Sequence, residues 1–282
     1  MPKRRPAKKR SPAAAVLLAV LCLLLLAVSR YLDSRSEPAA SVSAPEAAQA
    51  DASGLEVHFL DIGQGDSALL FCGDETLLID GGKVKNNQKL IARLKELEVD
   101  HLDAVICSHP DEDHCGGLAA VLAKYPAEHV YSSVTEYTTK VFSNVVKYAD
   151  EQGHPVEVPQ TGDSWTLGSA SVQVIGPVQT YSDPNNGSLV LRVDYGGTSF
   201  LFTGDMEQNA EADLMDSGAN VRADVLKVGH HGSPTSSSEA FLEAVAPSIA
   251  VISVGEDNDY GHPSTDVLAR LEALGTTIYR TD

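Results

Sequence analysis

Two histidines and three carboxylates fall within six residues of this chain. They are His109, Asp111, Glu112, Asp113 and His114, in the run Ser108-His109-Pro110-Asp111-Glu112-Asp113-His114-Cys115-Gly116-Gly117. Imidazole nitrogens and carboxylate oxygens are the ligands that borderline and hard divalent cations take. A tight loop can aim several of them at one point, and Gly116-Gly117 lets the backbone turn closely behind it. His109 and Asp111 are expected to face one cation, Asp113 and His114 a second. An acidic solvated loop is the plainer alternative. It does not explain why paired histidines bracket the acids directly after an apolar run.

Two further segments repeat this logic. Asp205 follows the apolar stretch Ser199–Thr203 in Phe202-Thr203-Gly204-Asp205, where a carboxylate can bridge two cations or cap the next helix. Paired histidines follow Val225–Val228 in Gly229-His230-His231-Gly232. His231 is taken as the ligand and His230 as a contact for a substrate oxyanion, with the reverse order open. Such a set could hold two ions about 3.5–4 Å apart, with a bridging hydroxide as nucleophile. The two ions would also stabilise charge on an attacked phosphoryl or carbonyl group.

Elements of alternating period must place these ligands. Strands are expected at 55–60, 68–72, 76–79, 102–107, 129–131, 164–168, 171–175, 188–194, 198–203, 225–228, 249–254 and 277–279. Helices are expected at 88–97, from 118, and at 140–152, 207–217, 237–246 and 265–274. The order runs β-rich, helix, strands, then β/α again, with polar residues at strand ends. That is the layout of a layered αβ/βα sandwich with its site on one rim.

The chain has 282 residues. Residues 2–10 are basic and 13–28 are uninterrupted apolar, the layout of a signal anchor or a cleaved signal peptide. Either form places the body outside the cytoplasm, membrane-anchored through residues 1–32 or secreted. Residues 33–54, rich in Ala, Ser and Pro, read as a disordered spacer, and 55–282 as the functional domain. Beyond residue 30 the chain carries 14 Lys/Arg against 39 Asp/Glu, a net charge near −25. Such a body repels polyanions unless metals or a basic patch intervene, which counts against a tight general DNA binder. The body cysteines, Cys72, Cys107 and Cys115, form no CxxC pair. They read as small core residues, with a Cys72–Cys107 disulfide open in an oxidising compartment.

The run from His109 to Gly117 resembles the HxHxDH signature of metallo-β-lactamase-fold hydrolases, which implies a four-layer αβ/βα sandwich. Asp205 is similar to that family's bridging aspartate, and His230 or His231 to its last histidine. The segments 60–67 (LDIGQGDS), 78–82 (LIDGG), 185–191 (NNGSLVL) and 260–264 (YGHPS) resemble the C-terminal hydrolase domain of ComEC-type DNA-uptake proteins. Asp111 stands where the wider family has histidine, which favours Mn²⁺ or Mg²⁺ more than a three-histidine site does and leaves Zn²⁺ open. No histidine occupies the middle-ligand position, where Asn185-Asn186 lies instead.

Other residues receive roles on the same reading. Asp80 is expected to orient a metal-bound histidine, and Asp61 and Asp66 to pack at the site's edge. Asn186 and Ser188 are candidates for a phosphate oxygen, and His262 for a proton donor to the leaving group. Asp113 and His262 are the expected catalytic residues. The implied activity is a metal-dependent phosphodiesterase or nuclease, with single-stranded DNA as a candidate substrate and no protein partner inferable. Hydrolysis of cell-wall phosphodiesters or of a carbonyl ester or lactone stays open, as does a non-catalytic DNA-uptake role.

Overall fold

The computed structural model describes residues 54–256 and 258–282. The expected N-terminal anchor and all of the expected spacer except Gly54 lie outside those residues. Among the described residues no helix is long and apolar enough to cross a membrane.

Among the described residues twelve strands form two sheets. The first holds β1 (Leu55–Phe59), β2 (Ala68–Cys72), β3 (Glu75–Ile79), β4 (Leu102–Cys107) and β5 (Ala127–Ser132), in that spatial order. The second holds β6 (Ser164–Leu167), β7 (Ala170–Gly176), β8 (Val190–Tyr195), β9 (Thr198–Phe202), β10 (Val225–Lys227), β11 (Ile249–Ile252) and β12 (Thr277–Arg280), also in chain order across the sheet. Each sheet begins as an antiparallel meander and turns parallel: at β3–β4–β5 in the first, and at β9–β10–β11–β12 in the second.

Period-two alternation divides the apolar residues between two faces. Leu70, Leu77, Ile79 and Ile106 of the first sheet pack against Val172, Val174, Leu191 and Phe202 of the second. The outer face of the first sheet, with Leu69, Leu78 and Val105, is covered by α1 (Asn87–Glu96), α3 (Leu118–Leu122) and α4 (Lys140–Gln152). The outer face of the second, with Leu201, Leu226 and Ala250, is covered by α5 (Gln208–Asp216), α6 (Glu239–Val245) and α7 (Thr265–Ala273). The result is the expected four-layer sandwich. In α4, Thr139 caps the start by accepting from the Phe142 amide, and Gly153 ends the helix at φ 83°. Its buried face, Phe142, Val145 and Ala149, follows the three- and four-residue spacing of one helix side. Burying Phe142 contributes about 1.5–3 kcal/mol.

Three departures from the expected elements have local causes. The short helix α2 (Glu112–Cys115) lies inside the acidic loop itself and was not expected. Strand β8 starts at Val190 rather than 188, because the Leu189 amide donates to the Ser108 carbonyl and the Ser188 hydroxyl is engaged elsewhere. Helix α6 starts at Glu239 rather than 237. Ser237 sits at φ 55°, and the Ser237 and Ser238 amides donate to the buried Glu211 carboxylate. Cys72 lies in the core between the sheets, whereas Cys107 faces the helices, so a Cys72–Cys107 disulfide is ruled out.

The parallel strands decide where the site forms. Strands β3, β4, β9, β10 and β11 all end on one rim, and Asp80, the 108–114 loop, Asp205, His231 and Ser253 follow them. Backbone hydrogen bonds stitch the rim loops together. The Asp66 amide donates to the Asp113 carbonyl, the Gly81 amide to His114, and the Gly117 amide to Gly82. The contact is too close for a side chain: a Cβ on Gly117 would lie 2.1 Å from the Gly81 oxygen. Gly117→Ala is therefore expected to cost about 2–4 kcal/mol. Thermal unfolding should show it as a fall of roughly 5–10 °C in Tm. Gly197→Ala, whose Cβ meets nothing within 4 Å, should leave Tm nearly unchanged.

Candidate metal centre

The loop after β4 leaves the sheet as Ser108-His109 and immediately re-enters helix α2. That path buries His109 and His114 completely while Asp111 and Asp113 stay partly exposed. Asp80, at φ 59°, turns back from β3 to fix this loop. Its Oδ1 accepts from the Ser108 amide at 2.7 Å, and its Oδ2 accepts from the Ser108 hydroxyl at 2.7 Å. The same Oδ2 lies 2.9 Å from His114 Nδ1. His114 Nδ1 is thereby occupied, and Nε2 is aimed into the site.

His109 is oriented by hydroxyls. Its Nδ1 lies 3.1 Å from Ser108 Oγ and 3.3 Å from Ser188 Oγ. Across the site, the Asp205 amide donates to Ser188 Oγ at 3.1 Å, and the His230 amide donates to the Gly204 carbonyl. The Gly229–Gly232 turn then places two successive non-glycine residues in the left-handed region, His230 at φ 49° and His231 at φ 53°. Such conformations cost about 1–3 kcal/mol each and persist only where the surroundings enforce them. Here they send His231 inward, 2.8 Å from the Ser253 carbonyl through Nδ1, and His230 toward the mouth.

Asp205 stands between the ring nitrogens of His114 and His231. His114 Nε2 lies 3.1 Å from Asp205 Oδ1, and His231 Nε2 lies 3.6 Å from Asp205 Oδ2. Asp113 Oδ2 is 3.8 Å from His231 Nε2, and Asp111 Oδ2 is 3.9 Å from His109 Nε2. His109, His114 and His231 Nε2 and Asp205 Oδ1 are all buried, and none makes a hydrogen bond. Leaving such a group unmade costs about 1–3 kcal/mol. Divalent cations held among these atoms would remove that cost, so the residues present fit metal. Asp205, which faces both His114 and His231, would be among the residues that hold it. His109, His114 and Asp205 offer atoms within 4.8 Å of one another.

The electrostatics agree with a cation. Burial lowers the His109 pKa well below its usual value, and the His114 charge adds to this, leaving a neutral ring with a free lone pair. Burial would also lower His114 and His231, yet Asp205 and Asp66, with Asp80 beside His114, raise both. Burial would raise Asp205, but His114 and His231 hold it well below the usual carboxylate range. The site draws protons in because it wants positive charge. Metal and protons therefore compete for it.

Asp66, His114 and His231 also approach one another, through the Nδ1 side. That trio is a buried ion-pair cluster rather than another metal site. His114 Nδ1 faces Asp80, His231 Nδ1 faces Ser253, and Asp66 pairs with the Lys227 ammonium. Burial pushes the Asp66 carboxyl up, but Lys227, His231 and His114 together bring it down to about 2.

Of the residues expected from the sequence, His109, Asp111, Asp113, His114, Asp205 and His231 converge, and Asp66 and Asp80 stand directly behind them. Asp61 does not reach the site: its carboxylate is taken by Lys89 at 2.6 Å and by the Gly63 amide. Asn186 and Ser188 do not face the cleft as phosphate contacts would. Asn186 Oδ1 accepts from the Glu207 amide, and Ser188 holds Asp205. Asn185 lines the cleft instead, together with Gln64, Asp111, Asp113, His230, Tyr260 and His262, around a volume of 190 Å³. His230 Nδ1 lies 3.3 Å from Glu207 and its ring 5.8 Å from that of His262.

Sequence reasoning missed Lys227 and Lys83. A lysine ending a buried strand needs a buried carboxylate, and that signal was present in Leu226-Lys227-Val228. Lys83 Nζ lies 3.8 Å from Asp113 Oδ2 and 3.5 Å from the Tyr260 hydroxyl. Only the fold brings those residues together.

Two outcomes are expected. Asp80→Asn should weaken metal binding about 10–100-fold, read by chelator competition, because an amide no longer sets the His114 tautomer. In chelated protein, Asp66 should support folding above about pH 4. Its folded pKa is depressed, so that support, about 2 kcal/mol, is lost as pH falls from about 4 to about 2. Asp66→Asn should flatten this acid limb in urea unfolding measured across that range.

Known proteins place this geometry. The chain is 33% identical over 246 residues to ComE operon protein 3 of Bacillus subtilis, covering 80% of this chain and 32% of that protein. It is 34% identical over 280 residues to competence protein ComA of Neisseria gonorrhoeae, covering 96% and 38%. Recombination protein 2 of Haemophilus influenzae is 32% identical over 80% of this chain and 27% of its own length. The chain thus spans about a third of these relatives. Among solved structures, the metallo-beta-lactamase fold protein YhfI of Bacillus subtilis aligns at TM-score 0.52 and 13% identity, over 80% of this chain and 96% of that one. A metal-dependent hydrolase of Parabacteroides distasonis aligns at 0.52 and 14%, over 81% and 94%. Residues 60–256 match the family described as the metallo-beta-lactamase superfamily, and the chain belongs to it.

Proposed function

We propose that this protein is an extracytoplasmic, metal-dependent phosphodiesterase, with single-stranded DNA among its candidate substrates. The observation that carries the reading is a set of buried histidine and aspartate atoms without hydrogen bonds, beside a cleft bearing His230 and His262 with Lys83 near its edge. The names of the competence and recombination relatives support a substrate with phosphodiester bonds. The basic run followed by apolar residues at 13–28 supports a site outside the cytoplasm. The intact ligand set argues against a purely accessory role. Nothing in the cleft favours a carbonyl ester.

Bound at the site, two divalent ions (Mn²⁺, Zn²⁺ or Mg²⁺) would supply activated water and neutralise charge on the phosphoryl oxygens. Asp113 would serve as a ligand, and its 3.8 Å approach to Lys83 keeps that ammonium at the cleft edge. There it would meet a non-bridging oxygen. His230, held by Glu207, would hydrogen-bond a second oxygen. His262 Nδ1 is buried without a hydrogen-bond partner, and its backbone is fixed by Asn258. Burial, then His230 and His231, lower its pKa. A phosphate anion in the cleft would reverse that balance, so His262 would gain a proton as substrate binds. It would then hold that proton for the departing oxygen.

The test uses the purified protein, stripped of metal and reloaded with Mn²⁺, Zn²⁺ or Mg²⁺, on bis-p-nitrophenyl phosphate and single-stranded DNA. Metal-dependent turnover is expected, reduced about 100-fold or more in Asp113→Ala. His262→Ala should lower kcat about 10²–10⁴-fold at unchanged metal content. No turnover by folded, metal-loaded protein would overturn the reading.

A further inference from the structure

A second cavity, of 520 Å³, adjoins the metal cleft. Pro110 and Pro184 line it, while their chain neighbours Asp111 and Asn185 line the metal cleft. The two therefore flank the same segments, 110–111 and 184–185, and Tyr137 of the groove lies beside Asp111 of the cleft. Tyr137 stands at this junction. Burial, then the adjacent Asp111 and Asp183 carboxylates, raise the pKa of its hydroxyl. On the far wall Tyr181 donates to Asp213 at 2.9 Å, which fixes its ring.

The chemistry of this groove differs from that of the cleft. Among the described residues no lysine, arginine or histidine lines it, and Asp183 is the one carboxylate that does. The rest is proline, tyrosine, valine and uncharged polar side chains such as Gln160. A phosphate would find no cation there and one repelling anion. An uncharged ring would find aromatic and proline faces to stack on and amides and hydroxyls for its edge.

We propose that this groove is a specificity subsite for one uncharged ring, a nucleobase, carried on the ester whose phosphate lies at the metal centre. This deepens the phosphodiesterase reading and rests on it only for where the phosphate sits. The subsite admits one ring per bound phosphate and gives no path for a second phosphate on this side.

Calorimetric titration of the full-length, metal-loaded protein tests it, with thymidine, thymidine 5′-monophosphate and thymidine 3′,5′-bisphosphate as probes. Gln160→Trp fills the groove from an exposed position, and Gln160→Ala leaves it open. Thymidine is expected to bind the natural protein and the Ala variant within about threefold of each other, and the Trp variant about tenfold more weakly or worse, as loss of one stacked ring implies. The bisphosphate should bind no more tightly than the monophosphate. Equal thymidine affinity in the Trp variant would overturn the proposal, and so would bisphosphate binding tenfold tighter than monophosphate. Thymidine binding that Gln160→Trp abolishes, in a protein that hydrolyses no phosphodiester, would support the subsite while removing the reaction assigned to the centre. Hydrolysis of bis-p-nitrophenyl phosphate with no thymidine binding would do the reverse.

Discussion

Buried charge is the constraint on which this structure depends. Asp66, Asp80 and Asp205 are nearly sealed from water, together with His109, His114, His231 and Lys227. Isolated buried carboxylates are very costly, and only nearby positive charge offsets them. Lys227 answers Asp66 permanently. Among the described residues Asp205 has no lysine or arginine partner. It faces imidazole nitrogens that must either take protons or share a cation. A divalent ion settles this balance better than protons, because it satisfies the neutral lone pair on His109 Nε2 as well. The fold thus reads as a frame for a charge distribution that is completed from outside.

The frame has to hold that distribution against its own strain. Asp80, His230 and His231 all adopt left-handed backbone conformations, and each carries a side chain of the centre or of its support. Strain of this kind survives because neighbouring elements over-determine it. Asp80 is held by three contacts at Ser108 and His114. The loop after His231 is held by Glu211, whose carboxylate accepts from Ser237 and Ser238 while Arg270 binds the carbonyls of Ser236 and Ser237. Residues far from any metal are therefore part of the site's rigidity.

Much of this was legible in the sequence. Alternation and turn residues located the strands, because each sheet is apolar on both faces and its ends carry polar punctuation. The candidate ligands were legible because histidines that bracket acids at the end of a buried strand are costly to keep there unless a cation joins them. The supporting contacts were not. Ser188 and Asn186 look like phosphate contacts in sequence, since hydroxyls and amides near a metal motif suit an anion. Folding turns them instead toward the amides of Asp205 and Glu207, which had no other partner. Asp61 fails for the opposite reason: its turn exposes it, and Lys89 lies within reach. Hydrogen-bond demand of the backbone is a property of the folded loop, and one-dimensional spacing does not carry it.

The charge of the whole body bears on which substrate such a centre would accept. A net charge near −25 beyond residue 30 opposes long polyanions at every approach. That repulsion scales with the number of phosphates brought near, while the attraction of a metal centre acts on one or two. Lys83 adds a cation at the cleft, and the adjoining groove adds none. Under the proposed phosphodiesterase reading, the balance favours a substrate that presents a single diester or a free strand end. The interior of a long strand would bring more repulsion than one metal centre offsets. Raising ionic strength would then screen the repulsion more than the short-range contacts, and the disadvantage of long substrates would narrow with salt.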